Sequence, residues 1–472
     1  MIRLRCIERR VLAILLAGLA AGTVGAAPID ESEGTPNFVD RASNASAEAN
    51  EQRPNAAGSL RELENLPDMR LAHRAFVAGE VAQCREHLRD AYAKHPHLPP
   101  PELMLARLYL SSGDLPSGRR LLEEVSIASP DHPELFLMFG KLALLDGHVT
   151  DAMLQFDRAA KAELPDNWTA AQRGYFQAEL LSGQTKIAEL RRDWGQAARL
   201  YQQRLKSEPQ NAALRDRLAM MLFRDGQSKP AFEQFDIAYR QDSSMSRPEV
   251  SMAVMCVEAA DYRKSDAWFQ TALQRAPDDA RVHFQRSIAL MYEDRADEAI
   301  RHVAKAKQLG LESDELRMHS GLIALQLGKT DQAEELFRQV AERSSSADAT
   351  VSLTLALAEQ EDAAKRAQAL EVIKLLAESQ PDRPMVKTAL GWAQFRNGNV
   401  DAAEATLRAA AAEMPQERTT LYFLSRVLAA QTQQKEAREV GERLSRLIER
   451  PGILAFRPAA RKWLDQLLET PN

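Results

Sequence analysis

A small residue, a glycine seven positions later and a second small residue five beyond that recur along this chain. The sets are Ala72, Gly79 and Cys84; Ala106, Gly113 and Gly118; Gly140, Gly147 and Ala152; Ala219, Gly226 and Ala231; Gly321, Gly328 and Ala333; and Gly391, Gly398 and Ala403. Adjacent sets are 34 residues apart. A fixed period of this length means one supersecondary unit stacked many times. No such unit buries its own apolar face, so neighbours must cover it and the ends need caps. Ala, Leu, Glu, Arg and Gln are abundant and are good helix formers, while β-branched residues are sparse. No stretch after about residue 60 reads as a strand, and an all-α fold follows.

The same positions give the chain its family likeness. Counting from Asn65, the first repeat has Ala72, Gly79, Cys84, Leu88, Ala91 and Pro96 at positions 8, 15, 20, 24, 27 and 32. From Pro384 the series is Gly391, Gly398, Ala403, Leu407, Ala410 and Pro415. The chain thereby resembles the tetratricopeptide repeat (TPR) family, in particular exported bacterial proteins with many such repeats. The resemblance implies a right-handed superhelical α-solenoid of about eleven helix–turn–helix repeats over residues 65–451. They begin near residues 65, 99, 133, 178, 212, 246, 280, 314, 350, 384 and 418. Position 20 is small in all eleven, which allows close approach of two antiparallel helices. Large residues at position 24 are expected to fill the space between repeats. An 11-residue insertion near 167–177 reads as a lengthened first helix through Trp168, Tyr175, Leu180 and Ile187. Repeat nine lacks the glycine and starts two residues late. Residues 452–472, with Trp463, Leu464, Leu467 and Leu468, read as a C-terminal capping helix.

The first 26 residues follow the order of a secretory signal: Arg3, Arg5, Arg9 and Arg10, an apolar run from Val11, then Val24, Gly25 and Ala26. Cleavage is expected after Ala26. The alternative is an uncleaved inner-membrane anchor, although the run is short of the ~20 residues a span needs. Export to a periplasm or the exterior is the expectation. Residues 27–60 are polar and Ala-, Asn- and Ser-rich, with little apolar periodicity, and read as a disordered linker. Net charge is −6, and the chain without residues 1–26 has 57 basic against 66 acidic residues. An acidic body with no basic tract offers nucleic acid no footprint. Of three cysteines, Cys6 lies in the signal, while Cys84 and Cys256 are about five repeats apart, too far for one disulfide.

Catalytic and metal motifs are missing. Gly328, Lys329 and Thr330 end like a phosphate-binding loop, but Ile323 stands where that loop needs glycine. Cys84, His87, His95 and His97 are the nearest approach to a metal cluster, yet Cys84 occupies a small buried position. No metal, no cofactor and no enzyme activity are expected.

Family members bind extended or helical peptide segments along their first helices, and the resemblance places the exposed groove at positions 2, 5, 9, 12 and 13. Here those positions hold Val254, Phe284, Ile288, Met291, Tyr292 and Leu322 in repeats six to eight, and Trp392 and Phe395 in repeat ten. Arg107 and Lys141, with Lys186, form a basic spot nearer the N-terminus. Packing against the next repeat is the competing role for the apolar members of this set. Trp392 and Phe395 are the leading anchors, because aromatic residues dominate binding hot spots. The expected function is a non-catalytic protein-binding scaffold or adaptor in a bacterial cell envelope, with assembly or export components as partners. Membrane association would come only through those partners or an uncleaved anchor, and self-association is compatible. The alternative is a periplasmic protein that binds glycans or peptidoglycan fragments.

Overall fold

The computed structural model describes residues 66–344, 346–450 and 452–469. The expected signal and linker lie outside the described residues. Twenty-three α-helices and no strand occur among them. They form eleven antiparallel pairs: α1 and α2 (Pro67–Val77, Val81–Lys94), α3 and α4 (Pro101–Ser111, Leu115–Ala128), α5 and α6 (Pro133–Leu145, Val149–Lys161), α7 and α8 (Ala170–Leu190, Trp194–Ser207), and α9 and α10 (Ala212–Arg224, Ser228–Gln241). There follow α11 and α12 (Pro248–Glu258, Tyr262–Arg275), α13 and α14 (Ala280–Tyr292, Ala296–Gln308), α15 and α16 (Asp314–Gln326, Thr330–Ser344), and α17 and α18 (Ala347–Ala358, Ala363–Ser379). The last pairs are α19 and α20 (Pro384–Arg396, Val400–Glu413) and α21 and α22 (Arg418–Ala430, Gln434–Ile448), and α23 (Arg457–Glu469) closes the series. The protein is an all-α helical repeat solenoid. It divides into two compact units, whose described parts run over 66–245 and 246–469.

The repeat signature has a direct structural cause. Position 20 is buried in all eleven pairs, from Cys84 to Ala437. The large residue at position 24 packs onto the small residue at position 8 of its own repeat, and in the third repeat Phe156 also lies against Gly183 of the next one. A Cβ added at Gly321 would lie 2.4 Å from the Phe337 ring, and one at Gly391 2.6 Å from Leu407. Second helices show only a stripe to the core, as with Ala152, Phe156 and Ala159 of α6. First helices are covered on more sides: α13 buries ten of its 13 residues. Helix starts use the usual devices, including side-chain caps from Asp114 and Asp193 and proline in the first turn of α3, α5 and α19.

Position 15 adopts a left-handed backbone in ten of the eleven repeats. Six have glycine there, but Arg192, Ala260, Asp294 and Thr432 take φ between 55° and 61°. The turn geometry is therefore retained without the residue that announces it. L-residues pay for this conformation, and β-branched ones most. Thr432→Gly is accordingly expected to stabilise the C-terminal unit by roughly 1 kcal/mol, read as a higher urea midpoint with unchanged slope. The ninth repeat is the exception. Its first helix begins at Ala347, 33 residues after α15 and three before the expected start, and no left-handed residue separates α17 from α18.

In the insertion, Thr169 and Gln172 form a reciprocal cap that starts the 21-residue α7. Trp168 lies just outside the helix, buried against Phe176 (5.5 Å between ring centroids) and His132 (6.1 Å). Asn167 Nδ2 donates to the Pro96 carbonyl (2.6 Å), and Gln172 Nε2 donates to that of His97 (2.7 Å). The segment thus reaches back to the end of the first repeat. No helix among the described residues is long and apolar enough to cross a membrane.

Candidate partner-binding face

In the first unit the expected basic spot is neutralised. Arg107 of α3 donates to Glu134 of α5 at 2.6 Å, with its guanidinium 5.9 Å from the Tyr175 ring centroid. Lys141 of α5 donates to Glu179 of α7. Two cations meet two carboxylates, and burial pushes the Tyr175 hydroxyl up, so it stays protonated. Lys186 is exposed on α7. In both pairs the first helix of the next repeat supplies the opposing charge, which separate readings of each repeat do not reveal.

In the second unit the apolar stripe is largely used in packing. Phe284, Ile288, Met291 and Tyr292 of α13 are buried, Met291 completely. Val254 and Leu322 are half-buried, and Leu322 packs against the C-terminal core. Phe284 meets the edge of His319 at 5.6 Å. Beside it, His283 Nε2 bonds the Pro277 carbonyl (3.0 Å), which places that ring's proton on Nε2. His302 Nδ1–H then donates to His283 Nδ1 at 3.0 Å. Burial, then the neighbouring His283 and Arg286, push His302 down to about 4. A histidine held below its ordinary value stabilises the fold while neutral; that contribution is full above about pH 6.5 and fades toward pH 4. The melting-temperature advantage of the wild type over His302→Gln should therefore shrink as pH is lowered through that window.

Trp392 departs most from expectation. It is not an exposed anchor: it is fully buried, stacked on Phe423 at 4.1 Å and 7° between planes, with Phe395 on it at 5.3 Å. Its Nε1 donates to Glu359 at 2.8 Å. Burial raises the Glu359 carboxyl, against the pull of Arg396 at 3.8 Å. Around this centre lie residues the sequence reading passed over. The Arg426 guanidinium stands 5.0 Å from the Trp392 ring, 5.7 Å from Tyr422 and 5.8 Å from Trp463. Arg396 lies 5.9 Å from the Trp392 ring. Phe395 and Arg426 are half-buried, and Arg396 keeps 16% of its side chain accessible. Tyr422, Arg426 and Arg396 occupy positions 5, 9 and 13 of their repeats. These are groove positions of the repeat, and their polar members in the last two repeats add to the aromatic pair expected there. Glu359 and the exposed Glu361, 3.8 and 3.6 Å from Arg396, balance the two guanidiniums, and Arg426 stands over an aromatic floor with no carboxylate of its own in that pairing. That combination can hold an acidic or amide-bearing segment.

No group of three or more metal-ligating side chains occurs among the described residues. Cys84 is buried, and burial pushes its thiol up to about 11.

A helical repeat solenoid that presents side chains from successive first helices belongs to the class of interaction scaffolds. Residues 75–142, 320–384 and 388–448 match family models described as tetratricopeptide repeat, and in these segments the chain carries tetratricopeptide repeats. With these repeats it is a protein-interaction scaffold of a generally non-catalytic kind, with protein partners. Among solved structures, yeast Tom70 is similar at 16% identity over 84% of this chain and 94% of that one, with a TM-score of 0.36. PilW, a type IV pilus biogenesis factor, is similar at 17% identity over 42% and 90%, with a TM-score of 0.35. A tetratricopeptide repeat protein from Parabacteroides merdae is similar at 14% over 54% and 97%, with a TM-score of 0.32. A search of curated protein sequences finds no significant match.

Proposed function

We propose that this protein is an exported scaffold of a bacterial-type cell envelope that holds partner segments on the first-helix face of its C-terminal repeats. The observation that carries the binding mode is the half-exposed cluster of Phe395, Arg396 and Arg426 over the buried Trp392. An apolar edge next to two guanidiniums suits a peptide or helix with an aromatic or aliphatic anchor and a carboxylate. Support for export comes from Arg3, Arg5, Arg9, Arg10 and the apolar run that follows them.

The test is affinity capture of the tagged full-length protein from detergent-solubilised envelope after mild crosslinking, beside a Phe395→Ala/Arg426→Ala variant. Envelope proteins recovered with the wild type and lost with the variant support the reading, provided both melt alike. Recovery of the same proteins with both moves the site off this cluster. Recovery of nothing, with glycans shifting the melting temperature, replaces the protein-binding mode with glycan binding. Fractionation that finds the chain in the cytosol with residues 1–26 intact sinks the envelope assignment.

A further inference from the structure

Within the second unit, the solenoid comes back on itself at one carboxylate. Asp294 lies in the turn between α13 and α14 and takes a left-handed backbone, φ 61°. It accepts a hydrogen bond from Gln326 Nε2 of the next repeat and another from Arg461 of α23, 167 positions later in the chain. Arg457, at the start of α23, brings its Nε to 3.8 Å from Asp294. Arg457 is only 3% exposed. Its other guanidinium nitrogens are spent on the Ile448 and Gly452 carbonyls, and its Nε has no hydrogen-bond partner. A buried cation with a free N–H depends on a nearby counter-charge. Asp294 supplies it.

We propose that Asp294 is a latch that holds the terminal helix against a repeat four pairs earlier, and that α23 leaves its seat when the latch opens. The remaining charges nearby do not replace it. Glu293 is engaged by Arg295 at 2.6 Å and Arg286 at 3.3 Å, while Glu449 lies 3.7 Å from Arg461 on the side of the chain leading into α23. What the helix covers gives the latch its consequence. Trp463 of α23 donates from Nε1 to Ser425 Oγ at 3.0 Å and lies beside Arg426. Opening the latch withdraws Trp463 and uncovers Arg426; that this controls partner access rests on the binding reading above.

Amide hydrogen exchange of the full chain, without any partner, tests the latch. Asp294→Asn keeps the side-chain shape and suits a left-handed turn, so it removes the charge alone. Arg461, with 43% of its side chain accessible, can become glutamine without disturbing a core. Asp294→Asn is expected to speed exchange over α23 by about ten-fold, with α19 to α22 unchanged, and Arg461→Gln by less. Wild-type rates over α23 in both variants would overturn the latch, as would acceleration spread evenly through α19 to α22. Because no partner is present, failure here leaves the binding reading standing, and failure of partner capture leaves the latch standing.

Discussion

Trp392→Ala is expected to destabilise the C-terminal unit by about 3–5 kcal/mol. The side chain is the largest fully buried one in the protein and is stacked between Phe395 and Phe423. Truncation opens a cavity between two repeats that cannot close, because helices α19 and α21 are already held by their own second helices. It also strips the Nε1 donor from Glu359, a carboxyl whose burial already disfavours its charge. An orphaned buried acceptor adds its own penalty. Urea unfolding followed by helix content should show the C-terminal transition moving to lower denaturant, with the N-terminal one in place. Trp392→Phe keeps the stack and loses the hydrogen bond, so it should lie well above the alanine variant. Wild-type stability for Trp392→Ala would mean the ring is not packed as described. Loss of a partner in this variant would report damaged packing rather than a lost contact, which is why Phe395 and Arg426 are the better probes.

Two glycines on one helix should respond to the same substitution with opposite sign. Gly183 and Gly174 both lie inside α7. A Cβ at Gly183 would sit 2.3 Å from the Phe156 ring, and that ring is backed by Gly140, whose own Cβ position is 3.0 Å away. Phe156 is fully buried and has nowhere to move. Alanine would gain ~1 kcal/mol of helix propensity, but forced overpacking typically costs about 1–3 kcal/mol. With the ring pinned from both sides, the clash wins and Gly183→Ala should destabilise toward the upper end. At Gly174 an added Cβ meets nothing within 4 Å, so Gly174→Ala should stabilise by about 0.5–1 kcal/mol. Shrinking the ring with Phe156→Leu should recover part of the Gly183→Ala loss, read from paired denaturation curves. Equal effects at the two positions would contradict the packing.

The repeat was legible because its signature encodes contact inside one helix pair. The small residue at 8 leaves room for Phe156, Phe337 or Leu407 and the one at 20 lets the two helices close up, as where a Cβ on Gly391 would meet the Ala403 carbonyl at 3.3 Å, and a local pattern records a local fit. The site was less legible because exposure at the first-helix positions is decided by the neighbouring repeat. Trp392 reads as a free aromatic until Phe423 of the following repeat covers it. Arg107 and Lys141 read as a basic patch until Glu134 and Glu179 are brought beside them. The turn at Asp294 was hidden for a different reason: glycine marks a left-handed turn well, but the helix pair around it can impose the same backbone on other residues. The ninth repeat lost its register where that marker and turn conformation are both gone.

The hydrogen bonds from Asn167 and Gln172 to residues 96 and 97 bear on how the N-terminal unit melts. A stack whose members touch only their neighbours frays from its free end, one member at a time. These two bonds tie the entry to the fourth pair to the exit of the first, bypassing both pairs between them. Fraying the first pair then breaks a link to the fourth, so the four pairs should loosen together as a block.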